Sequence, residues 1–204
     1  IRRIYDQIPS NLENKKKRVV AQRIEGKKGS TFANYEDEFE YLISAGIALN
    51  VQAISTPTFP LIESSGKNLL KLYLNDVGIL TSILYGSNIR AILEDERSIN
   101  LGSVYESVVA SELIAHGYNL FYYDNRSKGE VDYLIDDYDS LSAVPIEVKS
   151  GKDYTIHSAL NTFVKNDDYH VKKAYVLSNA REITTNGKVT YLPIYDVMFL
   201  QSNS

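Results

Sequence analysis

Apolar residues recur along this chain with two different periods, and the change of period maps its elements. Ile1, Ile4, Tyr5 and Ile8 stand at helical spacing, and Pro9-Ser10-Asn11 is expected to end that helix. A basic stretch comes next. Tyr35 to Ala45 then carries Phe39, Leu42 and Ile43 on one helical face, with Gly46 as its C-cap. Ile47 to Ile54 reads as a strand broken by Pro57 and Pro60, and Leu69 to Leu74 as a second short apolar strand. Asp76 is placed to cap a helix over Val77 to Leu84. Helix, glycine, strand, with basic residues upstream, fits a winged-helix arrangement.

The charged stretch Ser87 to Asn100 separates this part from the second half of the chain. We expect a small, mainly helical, winged-helix-like module over 1–96 and a second domain over 97–204. The second begins with a helix, Gly102 to His116, apolar nearly all round and stopped by Gly117. Three strand-like runs come next: Tyr118–Tyr123, Glu130–Ile135 and Ala143–Lys149. A helix over Ile156–Val164, a strand over Lys173–Leu177 and a last element over Val189–Leu200 complete it. The order α-β-β-β-α-β makes this an α/β protein.

Composition narrows the chemistry. The chain has no cysteine and three histidines, so thiolate zinc sites, disulfides, cysteine nucleophiles and histidine-rich metal sites drop out. A metal here would be a hard cation on carboxylates. No run approaches the roughly 18 apolar residues of a membrane helix, and Arg2-Arg3 does not lead into a secretory signal, so a cytoplasmic location with no membrane partner is expected. Because Ile1 already lies within a helical pattern, the sequence is expected to begin partway through a longer protein. A net charge of −4 is unlike a nucleic-acid coat protein. The local cluster Lys15, Lys16, Lys17, Arg18, Arg23, Lys27 and Lys28 reads either as a solvated loop or as a patch that meets DNA. Gly26-Lys27-Lys28-Gly29-Ser30 and Gly66-Lys67-Asn68 lack the spacer and ending of a phosphate loop, so this portion is not expected to hydrolyse ATP.

Four residues combine into a candidate site. Glu147 and Lys149 share one face of their strand while Ile146 and Val148 take the other. Asp132 stands among Val131, Tyr133, Leu134 and Ile135, where an unpaired carboxylate is costly. A hairpin across Asp136–Ser142 brings Asp132 beside Glu147, and two adjacent carboxylates call for a cation such as Mg2+ or Mn2+. Lys149 would orient an attacking water and offset phosphate charge. Glu106 lies on the helix face of Val109, Ala110 and Leu113 and can point into the same place. Each residue has a plainer reading: Glu147-x-Lys149 as the wet face of a strand, Asp132 paired with Lys128 or Arg126, Glu106 as a helix-surface charge.

Gly102-Ser103-Val104-Tyr105-Glu106, Glu130-Val131-Asp132-Tyr133-Leu134-Ile135 and Pro145-Ile146-Glu147-Val148-Lys149-Ser150-Gly151 resemble the PD-(D/E)XK, or restriction-endonuclease-like, superfamily. More narrowly they resemble the uncharacterised domain at the C-terminus of prokaryotic AAA-type ATPases. Leu72-Tyr73-Leu74-Asn75-Asp76-Val77-Gly78-Ile79-Leu80, and Tyr35-Glu36-Asp37 through Ala45-Gly46, are similar to that family as well. The resemblance implies a restriction-endonuclease-like core, a magnesium-dependent nuclease acting on DNA, and an ATPase domain upstream. It implies Asp132, Glu147 and Glu106 at the metal and Lys149 as the catalytic lysine. A non-catalytic module of the same fold, binding DNA or regulating the ATPase, is the alternative. The chain departs from the family's Trp-Arg pair, having Asp124-Asn125 after Tyr122-Tyr123.

Overall fold

The computed structural model describes residues 1–14, 17–64, 69–87, 90, 93–94, 99–151 and 155–202. The two apolar runs of the first half are strands, β1 (Ala48–Ile54) and β2 (Leu70–Leu74), paired antiparallel with Ala48 opposite Leu74. Ahead of them come α1 (Arg2–Leu12), α2 (Ala21–Glu25) and α3 (Glu36–Ser44). The helix α1 does not stop at Pro9. Ile8 and Leu12 are both fully buried, and one further turn brings Leu12 onto the core at the loss of only the bond a proline cannot make. The helix α2 falls inside the stretch expected to be loop and ends on Gly26, whose φ of 69° is the left-handed conformation glycine adopts readily. Asp76 caps α4 (Val77–Tyr85) as expected, accepting from the Ile79 N–H at 3.0 Å.

The second half keeps the anticipated succession: α5 (Gly102–Ala115), β3 (Phe121–Asn125), β4 (Gly129–Asp137), β5 (Ser142–Lys149), α6 (Ser158–Val164) and β6 (Ala174–Ser178). The last element divides into β8 (Val189–Pro193) and a 3-10 turn at Ile194–Phe199, with a short β7 (Thr184–Asn186) before it.

All eight strands form one sheet, in the order β2-β1-β3-β4-β5-β6-β8-β7. β1 runs parallel to β3, with Gln52 opposite Phe121. This corrects the separate helical module over 1–96, because its two strands hydrogen-bond into the sheet of the second half. The expected cut itself, between 96 and 97, lies outside the described residues. One apolar core also joins the halves, holding Ile4, Phe39 and Leu72 with Val104, Val109 and Ile146. On the other face a second core gathers Leu160 and Phe163 of α6 with Ala143 and Val176. The sheet is thus sandwiched, with α5 on one side of its centre and α6 on the other.

Candidate functional site: a fork between two central strands

β4 and β5 pair from Asp137 opposite Ser142 as far as Tyr133 opposite Ile146. Beyond that point β4 stays with β3, through Val131 to Gly129, and β5 stays with β6, through Glu147 to Lys149. The two central strands part there. Asp132 and Glu147 are the next residues across the opening. A bulge prepares the position, since Phe121 faces Leu134 but Tyr123 faces Val131, which gives β4 one extra residue. The parting frees backbone groups that need partners. Asp132 Oδ2 accepts from the Val148 N–H at 2.8 Å, so a carboxylate stands where a strand carbonyl would. That is how an aspartate is accommodated in an apolar strand.

Strand alternation divides the remaining residues. Ile146 and Val148 pack in the core under α5. Glu147 lies beside Val176, a member of the core under α6, so it and Lys149 project to that face. Lys149 Nζ is 2.7 Å from Glu147 Oε1. The other oxygen, Oε2, is buried with no hydrogen-bond partner among the described residues. Burial, then the charge of Asp132, push the Glu147 carboxyl up to about 8 against the pull of Lys149. Burial works against the Lys149 charge, but Glu147, Asp132 and Glu106 outweigh it and hold the ammonium above the usual lysine range.

Glu106 arrives from the α5 side and is buried, not a surface charge. Its Oε2 accepts from Tyr73 OH at 3.0 Å, its Oε1 is paired with Lys17, and its backbone carbonyl accepts from Tyr133 OH at 2.9 Å. Burial and the Asp132 charge raise its carboxyl, opposed by Lys17 and Lys71. Asp132 therefore lies within electrostatic reach of both groups, Glu106 on one face of the sheet and Glu147 with Lys149 on the other.

Two cations were not anticipated here. Lys71, in β2, is fully buried, with Nζ 2.5 Å from Glu130 Oε1 in a geometry outside that of a hydrogen bond, and 4.4 Å from the centre of the Tyr122 ring. Burial disfavours its charge, yet Glu130, Glu106 and Asp132 prevail and its pKa is raised. A signal was present in the sequence: Lys71 interrupts the run Leu69-Leu70-Lys71-Leu72-Tyr73-Leu74, the same anomaly that drew attention to Asp132. Lys17 and Arg18, read as part of a loop or patch, are ion-paired with Glu106 and with Asp124 (3.6 Å). Arg18 thus supplies a guanidinium beside β3, next to Asp124-Asn125. Lys15, Lys16 and the Gly66–Asn68 near-match lie outside the described residues.

Among the described residues no group of three or more histidine, aspartate or glutamate side chains is placed to hold a metal ion. Glu106 does not join the other two carboxylates, because Lys17 and Tyr73 take its oxygens. Magnesium is commonly held by one or two carboxylates with water filling the remaining positions. Asp132 and the unpartnered oxygen of Glu147 suit that smaller demand.

Glu147 also sets a pH dependence. Unfolded, its carboxyl titrates near 4.5, and folded near 8. Between these values the folded chain keeps a proton that the unfolded chain has released. The contribution of Glu147 to stability is therefore fully present below about pH 4.5 and is lost as pH rises through 8. The raised Glu106 carboxyl adds a contribution of the same sign. Glu147→Gln is expected to flatten most of this slope and to be more stable than the parent at pH 8 in urea unfolding. Parallel pH profiles for the two proteins would contradict the assignment.

Residues 101–197 match the family model described as a domain of unknown function, DUF4143. This domain is found in AAA-ATPase-associated proteins. The DUF4143 match spans the whole fork, with Glu106, Asp132, Glu147 and Lys149, but leaves out Lys17, Lys71 and Tyr73, which touch it from the first half. No curated protein and no solved structure matches the chain. Among the described residues no helix is long and apolar enough to cross a membrane.

Proposed function

We propose that the fork is the site of a metal-dependent phosphodiesterase of the PD-(D/E)XK, restriction-endonuclease-like type, acting on DNA as the C-terminal part of a larger ATPase. The observation that carries this reading is the buried oxygen of Glu147 that has no partner among the described residues, across the fork from Asp132, with Lys149 on its own face. Asp132 and Glu147 would hold Mg2+ or Mn2+. Bound there, the ion supplies a Lewis acid for a phosphate oxygen. Lys149 contributes a fixed positive charge toward the phosphate and a donor that orients the attacking water. The carboxylates around it hold that charge in place. Asp132 keeps one oxygen on the Val148 N–H, which fixes the carboxylate at the mouth of the fork.

The second reading is a non-catalytic module that binds DNA or regulates the ATPase. One observation favours it: Lys17 and Lys71 already supply positive charge beside Glu106, Glu130 and Asp132. The deciding experiment incubates the chain, alone and joined to its ATPase region, with supercoiled and single-stranded DNA in magnesium or manganese. Metal-dependent cuts that chelation stops are expected. Intact DNA under every condition would leave the non-catalytic module as the function.

A further inference from the structure

We infer that Lys17 is a removable internal counter-ion of the fork, and that its side chain must withdraw before a divalent cation binds tightly. This rests on the metal-dependent reading above. Lys17 lies in the segment that leads from α1 toward Val19, outside the DUF4143 match. Its ammonium pairs with Glu106 Oε1. A Cβ placed on Gly102 would lie 3.9 Å from Lys17 Nζ and 3.8 Å from Ser150 Oγ. The ammonium thus lies near the first turn of α5, which Ser150, the residue directly after Lys149, also approaches.

The contact has the marks of a latch rather than of a core element. The backbone of Lys17 itself sits at φ 33°, a strained region that residues other than glycine rarely adopt. Its side chain keeps 22% of its surface open to water. Its neighbour Arg18 is likewise held by a partly exposed ion pair, to Asp124. The Arg18 pair exchanges readily for water and salt, whereas the Lys17 pair can open only from its exposed ammonium side, leaving the buried Glu106 to its Tyr73 hydrogen bond. The chain is anchored just beyond them by the Val19 N–H bonded to the Leu70 carbonyl at 2.9 Å, so Lys17 can swing out without disturbing β2. Lys71 differs in this respect. It is fully buried and cannot leave without unfolding its surroundings. Lys71 is permanent charge compensation and Lys17 the variable part.

An ammonium offers a single charge and no coordination. While in place, it repels a divalent ion near Asp132 and occupies the Glu106 oxygen. Withdrawing it increases the negative potential of the fork and frees that carboxylate. The test is Mn2+ titration by calorimetry on the full chain, comparing the parent with Lys17→Met, which keeps the apolar stem, and Lys17→Gln. Glu147→Gln serves as the control for the site, and a melting curve accompanies each variant. Affinity for Mn2+ is expected to rise about tenfold or more in both Lys17 variants, since one nearby positive charge is lost, and to vanish in Glu147→Gln. Unchanged affinity in folded Lys17 variants, with Glu147→Gln still abolishing binding, would overturn the latch and leave the metal site standing. Binding that survives Glu147→Gln, or no binding in any protein, would overturn both.

Discussion

Lys149→Ala is expected to reduce metal-dependent DNA cleavage by about 100- to 1,000-fold, the usual loss when one preorganised charge-stabilising group is removed from a hydrolytic site. Asp132→Asn and Glu147→Gln should be at least as damaging, because each removes a carboxylate on which a cation depends. The fold should survive all three. Lys149 is half-buried and paired with Glu147, so its removal is not neutral, but Glu147 already keeps a proton up to about pH 8 and is not left as an uncompensated buried charge. A destabilisation of about 1 kcal/mol is therefore expected for Lys149→Ala, within the ordinary range for a point substitution. Cleavage assays on supercoiled DNA beside urea unfolding curves separate the two effects. Retention of full activity by Lys149→Ala would remove the lysine from the mechanism, whatever became of the fold.

Lys71 should show the opposite balance. Lys71→Ala is expected to cost about 3 kcal/mol of stability, the low end of the penalty for removing one partner of a buried pair, because Glu130 is only partly buried. The cost has two sources. Glu130, Glu106 and Asp132 lose their fully buried counter-ion, and the lysine stem leaves a void beside Tyr122. Lys71→Met should recover the packing but not the charge. Combining it with Glu130→Gln should regain part of the remainder, the two sites being coupled. Equilibrium unfolding in urea measures each step. A Lys71→Met protein as stable as the parent would mean that Tyr122 and the core, rather than the charge, set the value of this residue.

Much of the fork could be read from the sequence because its logic is local. Alternation along Pro145–Lys149 places Glu147 with Lys149, and the apolar surroundings of Asp132 demand a partner, which the Val148 N–H provides. The succession from α5 to β6 was equally legible, since each element carries its own period and turn residues. What escaped depends on distant partners. The pairing of β1 with β3 joins Gln52 to Phe121 across the charged stretch that resembled a linker, and nothing in either strand alone announces it. The bulge at Asp132 arises from the register against β3 rather than from any residue type. Lys17 sits in a run of four basic residues, and only tertiary structure pairs it with Glu106. Glu106 was expected beside the other carboxylates because its helix face is apolar. Burial was the right inference from that face, but Tyr73 and Lys17 supply its partners.

The parallel pairing of β1 with β3 also governs how the chain can be divided. A protein trimmed to residues 101–197 would retain all four of the site residues expected from the sequence. It would lack β1, however, and so expose the outer side of Phe121-Tyr122-Tyr123 as an unpaired, aromatic strand edge. Such an edge recruits any available strand, including its own copy in a second molecule. The solubility of the matched segment is therefore decided by a strand that lies outside it.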